Sequence, residues 1–118
     1  MATTSTLPDV SRYADMFAAM GAEPRLRIMR LLLASHPEGL VVGDIQTELG
    51  IAASTLSHHL EKLKIEDLVT VAREGTFLRY RANTDALRDV LGFLYTECCS
   101  RSGVLPPAQI VRLSRKNR

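Results

Sequence analysis

The residue types able to do chemistry in this chain fall into three groups. Cys98 and Cys99 are its two cysteines, and they stand next to each other. A disulfide between neighbours closes a strained ring, so both thiols are expected to be free, as a reducing cytosol leaves them. Two adjacent free thiols suit a soft, thiophilic centre. The second group, Ser54, Thr55, Ser57, His58 and Lys62, gathers short hydrogen-bonding groups and a cation into one stretch. Such groups reach base edges and phosphates when a helix enters the major groove of DNA. The third, Arg73 and Arg79, flanks a Glu74-Gly75 turn and can bracket a phosphate backbone or enter a minor groove.

The elements that must position these groups are legible in the spacing. Residues 1–8, rich in Ser and Thr, read as a flexible lead. Asp9 or Ser11 can cap a first helix carrying Tyr13, Met16, Phe17 and Met20 at helical spacing, with Gly21 as its stop. Pro24 suits the first turn of a second helix, for which the spacing predicts an apolar stripe of Leu26, Met29, Leu32 and Leu33. After a loop at residues 36–39, a short third helix over residues 42–49 turns Ile45 and Leu49 inward, and Gly50 ends it.

A fourth helix over residues 54–65 turns Leu56, Leu60 and Leu63 inward. Advancing about 100° per residue from Leu56 points Ser54, His58 and Glu61 away from the core, with Thr55, Ser57 and Lys62 on the flanks. A solvated helix more often fills such a face with Glu, Lys, Gln and Ala. His58 and His59 diverge by about the same angle, so they do not easily serve one metal ion. His58 reads as a DNA contact and His59, beside Leu60, as a half-buried hydrogen-bonding residue.

The period then alternates, with Val69 and Val71 on one side and Phe77, Arg79 and Arg81 sharing one face against Leu78 and Tyr80. An edge hairpin kept soluble by its arginines would look similar. Thr84 is expected to cap a fifth helix whose apolar face is Leu87, Val90, Leu91, Leu94 and Cys98, broken after Ser102. Helix, helix, helix–turn–helix, hairpin, helix is the order of a winged helix–turn–helix domain, mainly α with a β-hairpin wing, here over residues 9–101.

The composition narrows the class. At 118 residues, 46% apolar and 24% charged, one folded domain is expected, small enough to favour pairing with a second copy. No apolar stretch approaches the roughly 18–20 residues of a membrane span. The first ten residues lack Lys, Arg and an apolar core, so no secretory signal is expected and the cytoplasm is the expected location. The net charge of +2 says little, but Arg112, Arg115, Lys116 and Arg118 crowd the last seven residues. Residues 102–118 are read as a basic tail, which a solvated segment explains as well as any partner does.

The stretch from Glu23 to Leu32 (EPRLRIMRLL), the run Ser54-Thr55-Leu56-Ser57-His58-His59-Leu60-Glu61-Lys62-Leu63, and the wing from Arg73-Glu74-Gly75 to Tyr80-Arg81 together resemble the ArsR–SmtB family of metal-sensing repressors. The match runs from about Ala18 to Asn83. One departure is Glu66-Asp67, where the family often has Ala-Gly. The resemblance implies a homodimer built on the first and last helices, binding double-stranded operator DNA and released from it by an inducer.

Which inducer depends on positions that vary within that family. Arsenic sensors of one group carry Cys-x-Cys before the recognition helix, and residues 40–49 hold no cysteine. Zinc sensors carry Asp-x-His and His-x-x-Glu on the last helix, where this chain has Asp85, Leu87, Cys98 and Arg101. Cys98 and Cys99 remain. Cys98 continues an apolar stripe and can also pack as a small hydrophobe, whereas Cys99 lies off it.

The expectation is therefore a repressor, not an enzyme, with no constitutive cofactor. A trivalent arsenical or antimonial, As(III) or Sb(III), at Cys98 and Cys99 would release it. A methylated or aryl arsenical would need only these two thiols. The same fold acting as a thiol-redox or electrophile sensor is the alternative. No Cys-x-x-Cys turn or phosphate-cradling loop is present to support thiol catalysis.

Overall fold

A computed structural model describes residues 9–102, with side chains through Glu97. The expected lead, the tail beyond residue 102, and the side chains of Cys98 and Cys99 lie outside the described residues. In chain order the elements are α1 (Val10–Met20), α2 (Glu23–Ala34), β1 (Leu40–Val41), α3 (Val42–Leu49), α4 (Ala53–Ile65), β2 (Val69–Glu74), β3 (Phe77–Ala82) and α5 (Thr84–Ser102). Two compact units divide the chain, one ending at Leu87 and the other beginning at Arg88. The winged helix–turn–helix lies in the first.

Local chemistry explains most boundaries. The Asp9 carboxylate accepts the Arg12 amide at 3.1 Å and so caps α1. Gly21 ends α1 while still right-handed, at φ −74°, and it is the extended Ala22, ahead of Pro24, that turns the chain into α2. α4 ends in a Schellman motif: the Leu68 amide donates to the Leu63 carbonyl and the Asp67 amide to the Lys64 carbonyl, each at 3.0 Å. Asp67 sits at φ 60° to close it. The departure from Ala-Gly therefore keeps the left-handed turn, using a residue type that tolerates it better than most. α5 is capped by Asn83 rather than the expected Thr84. Asn83 Oδ1 accepts the Ala86 amide at 3.3 Å, and its Nδ2 donates to the Asp67 carbonyl at 2.8 Å.

The core of the first unit is apolar. Met16, Ile28, Met29, Leu32, Ile45, Leu56, Leu60, Leu63 and Leu68 are all essentially inaccessible, and no polar residue is buried among the described residues. Burying each such side chain contributes roughly 1.5–3 kcal/mol. One expectation is corrected here: the inward stripe of α2 is Ile28, Met29 and Leu32, while Leu26 and Leu33 are 55% and 44% exposed. α2 packs on α1, α3, α4 and β3, and those neighbours select the buried face of a helix that carries leucine nearly all round. On α5, Val90 is buried but Leu91 and Leu94 are exposed, so the expected apolar face is only partly buried.

The sheet has three antiparallel strands in the order β1-β3-β2. β1 pairs Leu40 with Tyr80 and Val41 with Arg79. Two residues are too few to show a period, and the sequence pattern does not reveal this strand. β2 and β3 pair from Val69↔Ala82 to Glu74↔Phe77, leaving Gly75 and Thr76 as the loop, one residue later than expected. Gly75, at φ 64°, supplies the positive φ a tight hairpin loop needs. α4 packs against β2, which seats the wing beside that helix.

Candidate nucleic-acid interface

The second helix of the helix–turn–helix begins without a side-chain cap. Its N-cap is Ala52, and the first helical bond is from the Leu56 amide to the Ala52 carbonyl at 2.9 Å. The amides of Ala53, Ser54 and Thr55 therefore lack intrahelical acceptors. They sit at the positive end of a helix dipole, which favours an anion such as a phosphate.

Leu56, Leu60 and Leu63 anchor this helix in the core, and the geometry of a helix then fixes what faces outward. Ser54, Thr55, Ser57, His58, Glu61 and Lys62 are all exposed. Among the described residues, the side chains of Ser54, Thr55, Ser57 and Lys62 make no hydrogen bond or ion pair. Five of the seven residues expected to contact DNA thus share one helix and the outward arc the spacing assigned to them.

His59 behaves differently from His58. It is half-buried, and its Nδ1 lies 3.4 Å from an Arg25 guanidinium nitrogen. Partial burial, with Arg25 and then His58 adding positive charge, lowers its pKa from the ordinary 6.5. The two imidazole centroids are 5.9 Å apart with planes at 56°. No group of three or more His, Cys, Asp or Glu converges to hold a metal among the described residues.

The two wing arginines part company. Paired residues of antiparallel strands share a face, so Arg73, opposite Leu78, and Arg79, opposite Ala72, lie on opposite faces of the hairpin. Arg73 is exposed. Arg79 instead donates through Nε to both oxygens of Glu74 at 2.9 Å, and its NH1 reaches the Gly39 carbonyl at 3.4 Å. The two arginines expected to bracket a phosphate backbone or enter a minor groove therefore stand on opposite faces of the wing, Arg73 exposed and Arg79 bonded to Glu74 and Gly39. Sequence reasoning overlooked Glu74 as its partner, although a carboxylate five residues before an arginine across a two-residue loop is a usable signal.

Arg81 adds a bond to the Pro37 carbonyl at 3.1 Å, so two arginines of β3 hold the loop that leads into β1. Tyr80 is buried at the wing base, and burial together with the nearby Glu61 of α4 raises its pKa. Cys98 and Cys99 are in the backbone of α5, with their side chains outside the described residues. No helix among the described residues is long and apolar enough to cross a membrane.

Comparison with known proteins agrees with this geometry. The model of the bacterial regulatory protein, arsR family, matches residues 23–71, from the start of α2 into β2. The nodulation protein NolR of Rhizobium meliloti is 33% identical over 86 residues, 73% of this chain and 68% of NolR. The transcriptional repressor SdpR of Bacillus subtilis is 30% identical over 80 residues, 68% of this chain and 86% of SdpR. The solution structure of the homodimeric winged helix–turn–helix DNA-binding domain of Mb0332 from Mycobacterium bovis is similar with a TM-score of 0.61 at 27% identity. The match covers 80% of this chain and 85% of that one. With its helix–turn–helix, its wing and these relatives, the chain is a transcriptional regulator rather than an enzyme, and it belongs to the arsR family of bacterial regulatory proteins.

Proposed function

We propose that this chain is a homodimeric repressor that holds double-stranded operator DNA through α4 and the wing. It leaves that DNA when a trivalent arsenical or antimonial joins Cys98 and Cys99. The observation that carries the DNA part is the outward arc of α4: an uncapped N-terminus beside four polar side chains with no partner of their own. These exposed groups are met by water in the free protein and can exchange that water for base edges and phosphates. Ser54, Thr55, Ser57 and His58 contact bases and phosphates, Lys62 and Arg73 contact the backbone, and Arg79 contributes by holding the wing in shape.

Pairing is supported by exposed apolar residues on the first and last helices, Val10 on α1 and Leu91 and Leu94 on α5, which a second copy would cover. Two copies present two α4 helices, and half-sites about 34 Å apart accept such a pair. The inducer reading rests on the two neighbouring thiols near the end of α5. Adjacent side chains on a helix splay apart, so joining both sulfurs to one centre distorts the last turns. That distortion shifts the spacing of the recognition helices, and a coupling of about 1–3 kcal/mol lowers DNA affinity roughly 5- to 150-fold.

Operator binding titrated with arsenite, methylarsenite, antimonite and peroxide tests both parts. Release by an arsenical or antimonial, lost in Cys98→Ser and Cys99→Ser, is the expected result. Release by peroxide alone points to the thiol-redox sensor instead, and release in both serine variants removes the cysteine site.

A further inference from the structure

We propose that Phe77 is an apolar wedge that the wing tip drives into the minor groove of bound DNA, an inference that rests on the DNA-binding reading above. Phe77 closes the hairpin opposite Glu74, next to the two-residue loop. It is 62% exposed, and Leu78 on the other face of the tip is 38% exposed. The ladder runs five residue steps from the buried Val69↔Ala82 pair to Glu74↔Phe77, or about 17 Å at the usual strand rise. The tip is therefore the part of the wing farthest from the core, and Phe77 stays largely exposed there.

The charges around the tip select the occupant. Strands β2 and β3 carry Arg73, Arg79 and Arg81 against the single acid Glu74, a balance of three minus one, or +2. Glu74 lies on the same face as Phe77, where an unpaired carboxylate would repel a polyanion. It is instead drawn back by Arg79 at 2.9 Å and Arg81 at 4.0 Å. That leaves an aromatic ring in front of a neutralised acid on one face and an exposed arginine beside a leucine on the other. A cationic rim with an apolar point matches a groove walled by phosphates and sugars. Apolar side chains inserted between base steps from the minor groove unstack them and bend the duplex. The wedge would read deformability, favouring pyrimidine–purine steps that open easily, without a hydrogen bond to any base.

The test uses the full chain and a duplex recovered with it from a random-sequence library, with 2-aminopurine placed at the steps beneath the wing. Phe77→Ala is expected to weaken binding about tenfold or more, the loss of a buried phenyl group. The salt dependence should not change, because no ionic contact is removed. Phe77→Leu should restore most of the affinity. Arg73→Ala should instead lower the salt slope by about one. The 2-aminopurine signal should rise with the parent chain and not with Phe77→Ala. Unchanged affinity in Phe77→Ala, a loss that alters the salt slope, or a change in oligomeric state marking the tip as a protein contact would each overturn the wedge. Failure of the parent chain to recover any duplex would overturn the DNA reading itself, at an earlier and separate step. Because Phe77 is exposed, melting of Phe77→Ala should match the parent, and a lowered melting temperature would count against a role at the DNA.

Discussion

Arg25 of α2 and His59 of α4 meet with 3.4 Å between a guanidinium nitrogen and imidazole Nδ1, and the same guanidinium donates through Nε to the Ala19 carbonyl near the end of α1. One side chain thus ties three helices, including the one proposed to read DNA. The contact needs an unprotonated Nδ1, since a protonated imidazole offers only donors there and adds a second positive charge.

Stability should follow that titration. Burial and Arg25 hold the His59 pKa below 6.5 in the folded chain, so the unfolded chain binds the proton first as pH falls. Above the unfolded value both states are neutral and the full stability is present. It declines through the window between 6.5 and the lower folded value, then levels off. Urea unfolding at about pH 8 and about pH 5 should show this loss, and His59→Gln should reduce it. An equal loss in that variant would place the pH dependence elsewhere.

Two substitutions on α4 should separate its kinds of contact. Ser57→Ala should weaken operator binding by about 1–3 kcal/mol and relax preference at one base position. Lys62→Ala should weaken all duplexes alike and lower the salt slope by about one. Neither should disturb the fold, because both side chains are exposed and unpaired. Leu56→Ala, on the buried side of the same helix, should cost about 2–5 kcal/mol of stability. Filter binding over a salt series, beside urea midpoints, distinguishes the three.

Gly39 is the backbone position least able to accept a side chain. It lies at φ 74°, and a Cβ there would overlap the Tyr80 carbonyl oxygen and the Arg81 side chain. Gly39→Ala should cost at least about 2 kcal/mol, since the left-handed conformation alone costs roughly 1–2 and the collision with backbone adds to it. Gly75→Ala has a similar φ and open space, so its cost should stay near the conformational figure. Comparing the two urea midpoints checks the difference. Operator affinity of Gly39→Ala should also fall, because the loop it distorts is where Arg79 and Arg81 anchor the wing.

Much of this molecule is legible in one dimension. The element order, the inward leucines of α4 and the outward Ser, Thr, His and Lys all follow from period and residue type, because helical geometry links one known buried residue to every other direction on that helix. The left-handed turn after α4 was not readable at Asp67, whose type does not demand it. The Schellman bonds at 3.0 Å reveal it.

Other features depend on partners distant in sequence. In α2, with leucine at positions 26, 31, 32 and 33 and Ile28 and Met29 besides, spacing offers several equivalent faces. Only packing against α1, α3, α4 and β3 selects Ile28, Met29 and Leu32. Strand β1 exists because residues 40–41 fall beside Tyr80 and Arg79. Composition already placed arginines in the wing and a histidine pair on α4. Tertiary structure decided that Arg79 is occupied by Glu74 while Arg73 is exposed, and that His59 meets Arg25. Local sequence determines which directions a side chain can take. What it meets there depends on segments that arrive through folding, and a charge is available or spent according to that meeting.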